Sequence, residues 1–72
     1  MPHMKHVFSS HIDAIGYDDA SGELHVRYQT GKTAVYKGVP PGVAQQAQTA
    51  PSIGLAMNAL VRGRFDHRYL EG

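Results

Sequence analysis

The chain has 72 residues, no cysteine, no tryptophan and a formal net charge of +1. That length allows one small domain with a modest core. The absence of cysteine excludes a disulfide framework and thiolate-held zinc or iron–sulfur clusters. No apolar run approaches the ~20 residues of a membrane span, and no charged start leads into a signal-like apolar segment, so a cytoplasmic domain with no membrane partner is expected.

Charge is distributed unevenly. Residues 1–36 carry three basic and four acidic side chains, net −1, and residues 37–72 carry four basic and two acidic, net +2. The excess gathers in Arg62, Arg64 and Arg68, beside His67. A solvated helix end accounts for such a cluster, and so does a face for nucleic acid or another anion.

Residues 1–6 have no period and read as a disordered lead-in, with the domain proper over 7–70. His3, His6 and His11 invite a metal reading, but Pro2 denies a terminal copper or nickel site one of its amides, and no third ligand is spaced to complete His3-x-x-His6. No metal and no cofactor are expected.

Ile12, Ala14, Ile15 and Tyr17 suit a first strand, and the Asp18–Gly22 cluster suits a turn. Glu23–Gln29 then alternates strictly, with Leu24, Val26 and Tyr28 on one side and Glu23, His25, Arg27 and Gln29 on the other. Thr30-Gly31-Lys32 turns the chain into a returning strand over 33–37. A two-residue turn would set Val26 opposite Val35 and leave Tyr36 on the polar face. A bulge closed by Gly31 would set Leu24 opposite Tyr36 and bury that ring. Threonine before glycine favours the bulge.

Pro41 opens a helix with Val43, Ala47 and Ala50 in one stripe, and Pro51 ends it. Ser52 caps a second helix presenting Ile53, Met57, Leu60 and Val61, with Gly63 suited to its end. Phe65 and Tyr69 are expected to fold back onto the core. The pattern predicts an α+β domain, a three-stranded antiparallel β-meander covered on one face by two short helices.

With those elements placed, the run Ser9-Ser10-x-Ile12-x-x-Ile15-Gly16-Tyr17-Asp18 stands out, followed by Leu24-x-Val26, Gly31, Tyr36-x-x-Val39-Pro40 and Ala50-x-Ser52-x-Gly54-x-x-x-Asn58. Together they resemble the KTSC domain over roughly residues 7–69. That short module stands at the C-terminus of some lysyl-tRNA synthetases and also occurs as a small free-standing bacterial protein. The resemblance implies a role in RNA binding, suggested by the attachment to a synthetase. The family pattern carries a central Tyr-x-Tyr, where this chain has Ala34-Val35-Tyr36, so one ring of a paired platform is missing.

Bases of a single strand are held by aromatic rings and by cations that follow the phosphates. The expected nucleic-acid-binding residues are Arg27, Tyr36, Lys37, Arg62, Arg64 and Arg68, although a domain this small needs most of its rings for its own core. Ser52 and Gly54 form a candidate anion site at the start of the second helix, where glycine is costly unless close packing or a close ligand requires it. Ser9, Ser10, His11 and Asp13 contain the types of a nucleophilic set, but neighbours on a strand face opposite ways. The chain therefore reads as a non-catalytic binding module, monomeric or weakly dimeric, for RNA (tRNA or a single strand). The alternative is docking of another protein at a sheet edge or helix face.

Overall fold

A computed structural model describes residues 3–70. The elements run β1 (Lys5–His6), β2 (Ile12–Asp18), β3 (Glu23–Tyr28), β4 (Thr33–Tyr36), α1 (Pro41–Thr49), α2 (Ile53–Leu60) and β5 (His67–Leu70). The strands form one antiparallel sheet in sequential order, β1-β2-β3-β4-β5, with both helices on one face.

The sheet is larger than the expected three-stranded meander, which is correct only for β2, β3 and β4. Lys5 and His6, read as lead-in, pair with Ile15 and Ala14, whereas Met1 and Pro2 lie outside the described residues. At the other end the tail does not fold back as a loop. It returns beside β4, with Thr33 opposite Leu70, Ala34 opposite Tyr69, Val35 opposite Arg68 and Tyr36 opposite His67. Both additions are too short for an alternating pattern to betray them: two residues and four.

The turn between β3 and β4 is the bulged one. Gly31 takes φ +94, its amide bonds back to the Tyr28 carbonyl, and Tyr28 N–H donates to the Lys32 carbonyl. Leu24 consequently lies opposite Tyr36, and Val26 opposite Ala34. The rows Tyr17–Leu24–Tyr36–His67 and Ile15–Val26–Ala34–Tyr69 therefore cross the helix-side face, while Gly16–His25–Val35–Arg68 crosses the outer one. Tyr36 retains only 2% of its exposure.

Against the first face α1 lays Ala44 and Ala47, with Val43 half-buried, so the expected Val43–Ala47 stripe is joined by Ala44, while Ala50 falls at the C-cap. From α2 come Ile53, Met57 and Val61, as its spacing predicts, and Ser52 caps it by accepting from the Leu55 amide at 3.4 Å. Phe65 packs against this core as expected; Tyr69, at 56% exposed, does not.

The outer face is charged but not wet throughout. Ala14, His25 and Val35 are buried there, and the stems of Arg27 and Arg68 cross the same face. Arg27 Nε donates to Asp13 at 2.9 Å and Arg68 Nη1 to Glu23 at 3.4 Å. Near the sheet edge a Cβ on Gly16 would come within 2.6 Å of the His3 carbonyl oxygen, so glycine is what lets the N-terminal segment cross here. Neither ring nitrogen of His25 has a hydrogen-bond partner among the described residues; Glu23 Oε1 is 3.6 Å from its Nε2.

A buried polar group without a partner costs about 1–3 kcal/mol. His25→Leu, of similar volume, is expected to leave the fold intact and raise unfolding stability by about 1 kcal/mol or more. Equilibrium urea unfolding checks this; a clear loss of stability would mean that the imidazole is satisfied in solution.

Candidate functional site

The Ser9–His11 segment, the end of β3 and α2 enclose a groove. Its larger hollow, about 390 Å³, is lined by Ser9, Ser10, His11, Tyr28, Ser52, Gly54, Asn58 and Arg62, with Phe8 and Leu55 at its border. A second hollow of about 240 Å³ shares His11, Tyr28 and Arg62 and adds Thr30, Lys32 and Tyr69. The two are halves of one depression.

Residues 9–11 are a bend rather than a strand, which lets Ser9, Ser10 and His11 face one space. The expectation that strand geometry would part them is thereby corrected; Asp13 alone lies elsewhere, on the outer face with Arg27. Ser9 Oγ accepts from the amides of His11 and Ile12, each at 3.4 Å, and so braces the bend. Across from it stands Gly54, where an added Cβ would meet only Ser9 Oγ at 3.9 Å, an ordinary contact. Close packing does not demand glycine there.

The floor is a polar cluster. The Tyr28 and Tyr36 hydroxyls are 3.2 Å apart, and Arg62, nearby, has its Nη1 donating to Asn58 Oδ1 at 3.1 Å. Burial, reinforced by the bond to Tyr28, holds the Tyr36 hydroxyl well above the ordinary phenol range, against the opposing pull of the Arg62 guanidinium. At the far rim Lys32 Nζ sits 5.9 Å above the Tyr69 ring, and His67 meets that ring edge-on.

Two properties mark this groove. Among the described residues no carboxylate lines either half, although Arg62, Lys32 and His11 do. In addition, the large hydrophobic side chains left exposed among the described residues, Phe8, Leu55 and Tyr69, all border it.

The six expected nucleic-acid-binding residues do not form one surface. Arg62 is in the groove. Arg27 and Arg68 are on the opposite face of the sheet, tied to Asp13 and Glu23. Arg64 Nε donates to the Ala59 carbonyl and closes the end of α2, and Lys37 is exposed where β4 ends, its amide bonded to Asp66. Tyr36, closed off under the helices, has no face to offer a base. Ser52 and Gly54 do line the groove. Sequence reasoning misses Phe8 and assigns Tyr69 to the core, while Lys32 is expected as a surface cation of the hairpin; only the path of the bend and the return of β5 bring the three to this place. The three histidines near the N-terminus diverge: His3 lies over Gly16, His6 faces Asp13 at 3.3 Å, and His11 enters the groove.

A small α+β domain with a five-stranded antiparallel sheet, two helices on one face and a single-sided cationic groove is the class these features define. The sequence model of the KTSC domain matches residues 8–65, and the chain belongs to that family. A KTSC domain protein from Yersinia pestis, known from its crystal structure, superposes with a TM-score of 0.92 at 30% identity, over 99% of this chain and 100% of that one. A protein of Tsukamurella paurometabola is 42% identical over 62 residues, covering 86% of this chain and 92% of its own length. The matched motif residues Ser9, Ser10, Ser52, Gly54 and Asn58, scattered in sequence, all meet at the groove.

The raised Tyr36 hydroxyl has a consequence at alkaline pH. The unfolded chain ionises this tyrosine near pH 10 while the folded protein keeps it protonated, so the associated stability is present below about pH 10 and is lost as pH rises above it. The stability advantage of the protein over Tyr36→Phe is expected to shrink steadily above pH 10. Urea unfolding of both proteins across that range tests it, and an unchanged difference refutes it.

Proposed function

We propose that this domain is a non-catalytic binding module for unpaired RNA, and that the groove is where the strand lies. The observation that carries the reading is the composition of the groove: Arg62, Lys32 and His11 with no carboxylate among the described residues, bordered by exposed Phe8 and Tyr69. Phosphates seek cations free of competing acids, and bases seek ring faces in water. Elsewhere Arg27 and Arg68 are neutralised by Asp13 and Glu23, which makes the groove the stronger attractor for a polyanion.

The hollows, about 390 and 240 Å³, suit a few groups of a single strand rather than the side of a duplex. A tRNA would be held by an unpaired end or loop. The cations Lys37 and Arg64, outside the groove, contribute to long-range steering rather than to the contact. Protein docking at the edge of β5 is the competing reading, and salt separates the two: contact with phosphates weakens as salt rises, apolar docking hardly does.

Arg62→Glu is expected to weaken binding of a labelled single-stranded oligouridylate about 10- to 100-fold, the size of one lost charged hydrogen bond at ~1.5–3 kcal/mol. Arg68→Gln, on the opposite face, is expected to change it less than threefold. Fluorescence anisotropy at low salt measures both; equal effects of the two substitutions would remove the groove from the contact.

A further inference from the structure

The two halves of the groove share Arg62, and each half adds one exposed ring that the other lacks. Phe8, fully exposed, borders only the larger hollow, and Tyr69, at 56% exposed, only the smaller. A single guanidinium thus stands between two separate aromatic stations. Asn58 Oδ1 accepts from one of its N–H groups, and the side chain is exposed, with further donors on the fork. Ser9, Ser10 and Thr30 contribute uncharged polar groups to the walls, alongside apolar Ile12, Ile53 and Met57.

That order of groups, ring, cation, ring, matches one repeat of a nucleic-acid strand: base, phosphodiester, base. We infer that the groove holds a single dinucleotide step, with the bridging phosphate at Arg62, one base against Phe8 and the next against Tyr69. The inference deepens the RNA reading and rests on it. At the Tyr69 station the ring face already carries a weak guest, the Lys32 ammonium at 5.9 Å. An arriving base replaces it on the ring, and the freed ammonium, still tethered at the mouth of the hollow, is available to the phosphate that follows. At the Phe8 station the ring has only the edge of His6, at 6.2 Å between centroids, and is otherwise bare.

Occupancy by one step makes a length rule. Beyond two nucleotides the strand leaves the groove and gains no further ring. Of the other cations, Arg27 and Arg68 lie on the opposite face bound to carboxylates, Lys37 and Arg64 sit at the ends of β4 and α2, and Lys5 stands on β1, away from both hollows. Salt dependence follows as well: with about one to two phosphates neutralised by Arg62 and Lys32, the slope of log K against log salt is about −0.7 to −1.4. An extended binding channel would give a much steeper one.

Calorimetric titration of the whole protein with UMP, UpU, and oligouridylates of four and eight nucleotides tests the rule. Affinity is expected to rise about 5- to 100-fold from UMP to UpU, the contribution of one added stacked base. From UpU to the longest strand it is expected to rise no more than the number of equivalent registers allows. Phe8→Ala and Tyr69→Ala, both at exposed rings, are each expected to bring UpU down toward UMP without a change in thermal unfolding. Affinity that climbs by a similar factor with every added nucleotide, or indifference of UpU binding to either ring, overturns the dinucleotide step and leaves the RNA reading in place. Failure of every oligonucleotide to bind overturns both.

Discussion

The pairing of β3 with β4 decides more than their own hydrogen bonds. Because Gly31 accepts a positive φ, the hairpin closes with one extra residue and Leu24 meets Tyr36. Every strand beyond inherits that phase. Tyr36 turns inward beside Tyr28, β5 then presents Tyr69 and His67 on the helix side, and Arg68 is sent to the far side opposite Val35. Shift the turn by one residue and the two sets exchange faces: the groove would lose its second ring, and Val35 would compete with Tyr36 for the core. A local preference of one threonine–glycine pair thus settles which chemistry faces which way.

The same phase separates the charges. On the outer face, arginines and acids neutralise one another between strands, Asp13–Arg27 from β2 to β3 and Glu23–Arg68 from β3 across β4 to β5. Such exposed pairs contribute little to stability, on the order of 0–1 kcal/mol each, yet they silence that face electrostatically. Their stems also shelter Val35 and His25. On the helix side the bend at Ser9–His11, α2 and the hairpin supply cations and hydroxyls, with no acid among the described residues that line the groove. A chain with a net charge of only +1 can in this way expose a locally basic surface.

How far the sequence revealed these arrangements depended on the length over which each signal runs. Glu23–Gln29 alternates for a whole strand, so β3, its partner β4 and the bulge between them were legible, as were the caps and core stripe of α2. Two-residue β1 and four-residue β5 have no period to read, and β5 pairs with a strand some thirty positions earlier, across both helices. The site was harder still. Arg62, Ser52 and Gly54, singled out by charge and capping logic, line the groove, whereas Arg27 and Arg68 lie on the opposite face, and the carboxylates that pair with them, on other strands, could not be matched to them from the linear order. Of the four tyrosines, three do serve the framework, as the size of the core requires. Which one stays outside follows from β5, and so was invisible in the linear pattern.

Sequential strand order gives the chain an uneven assembly. The hairpins joining β2, β3 and β4 close over a few residues each, whereas β5 docks only after a detour through α1 and α2. Short loops close early and cheaply, and the long one closes late. Both walls of the groove straddle that divide: Tyr28 and Lys32 belong to the quick part, Arg62 and Tyr69 to the slow part. The smaller half of the cleft, which needs Tyr69, is therefore a certificate of completion, present only once the last strand has zipped into place, whereas every residue lining the larger half has already been made by Arg62.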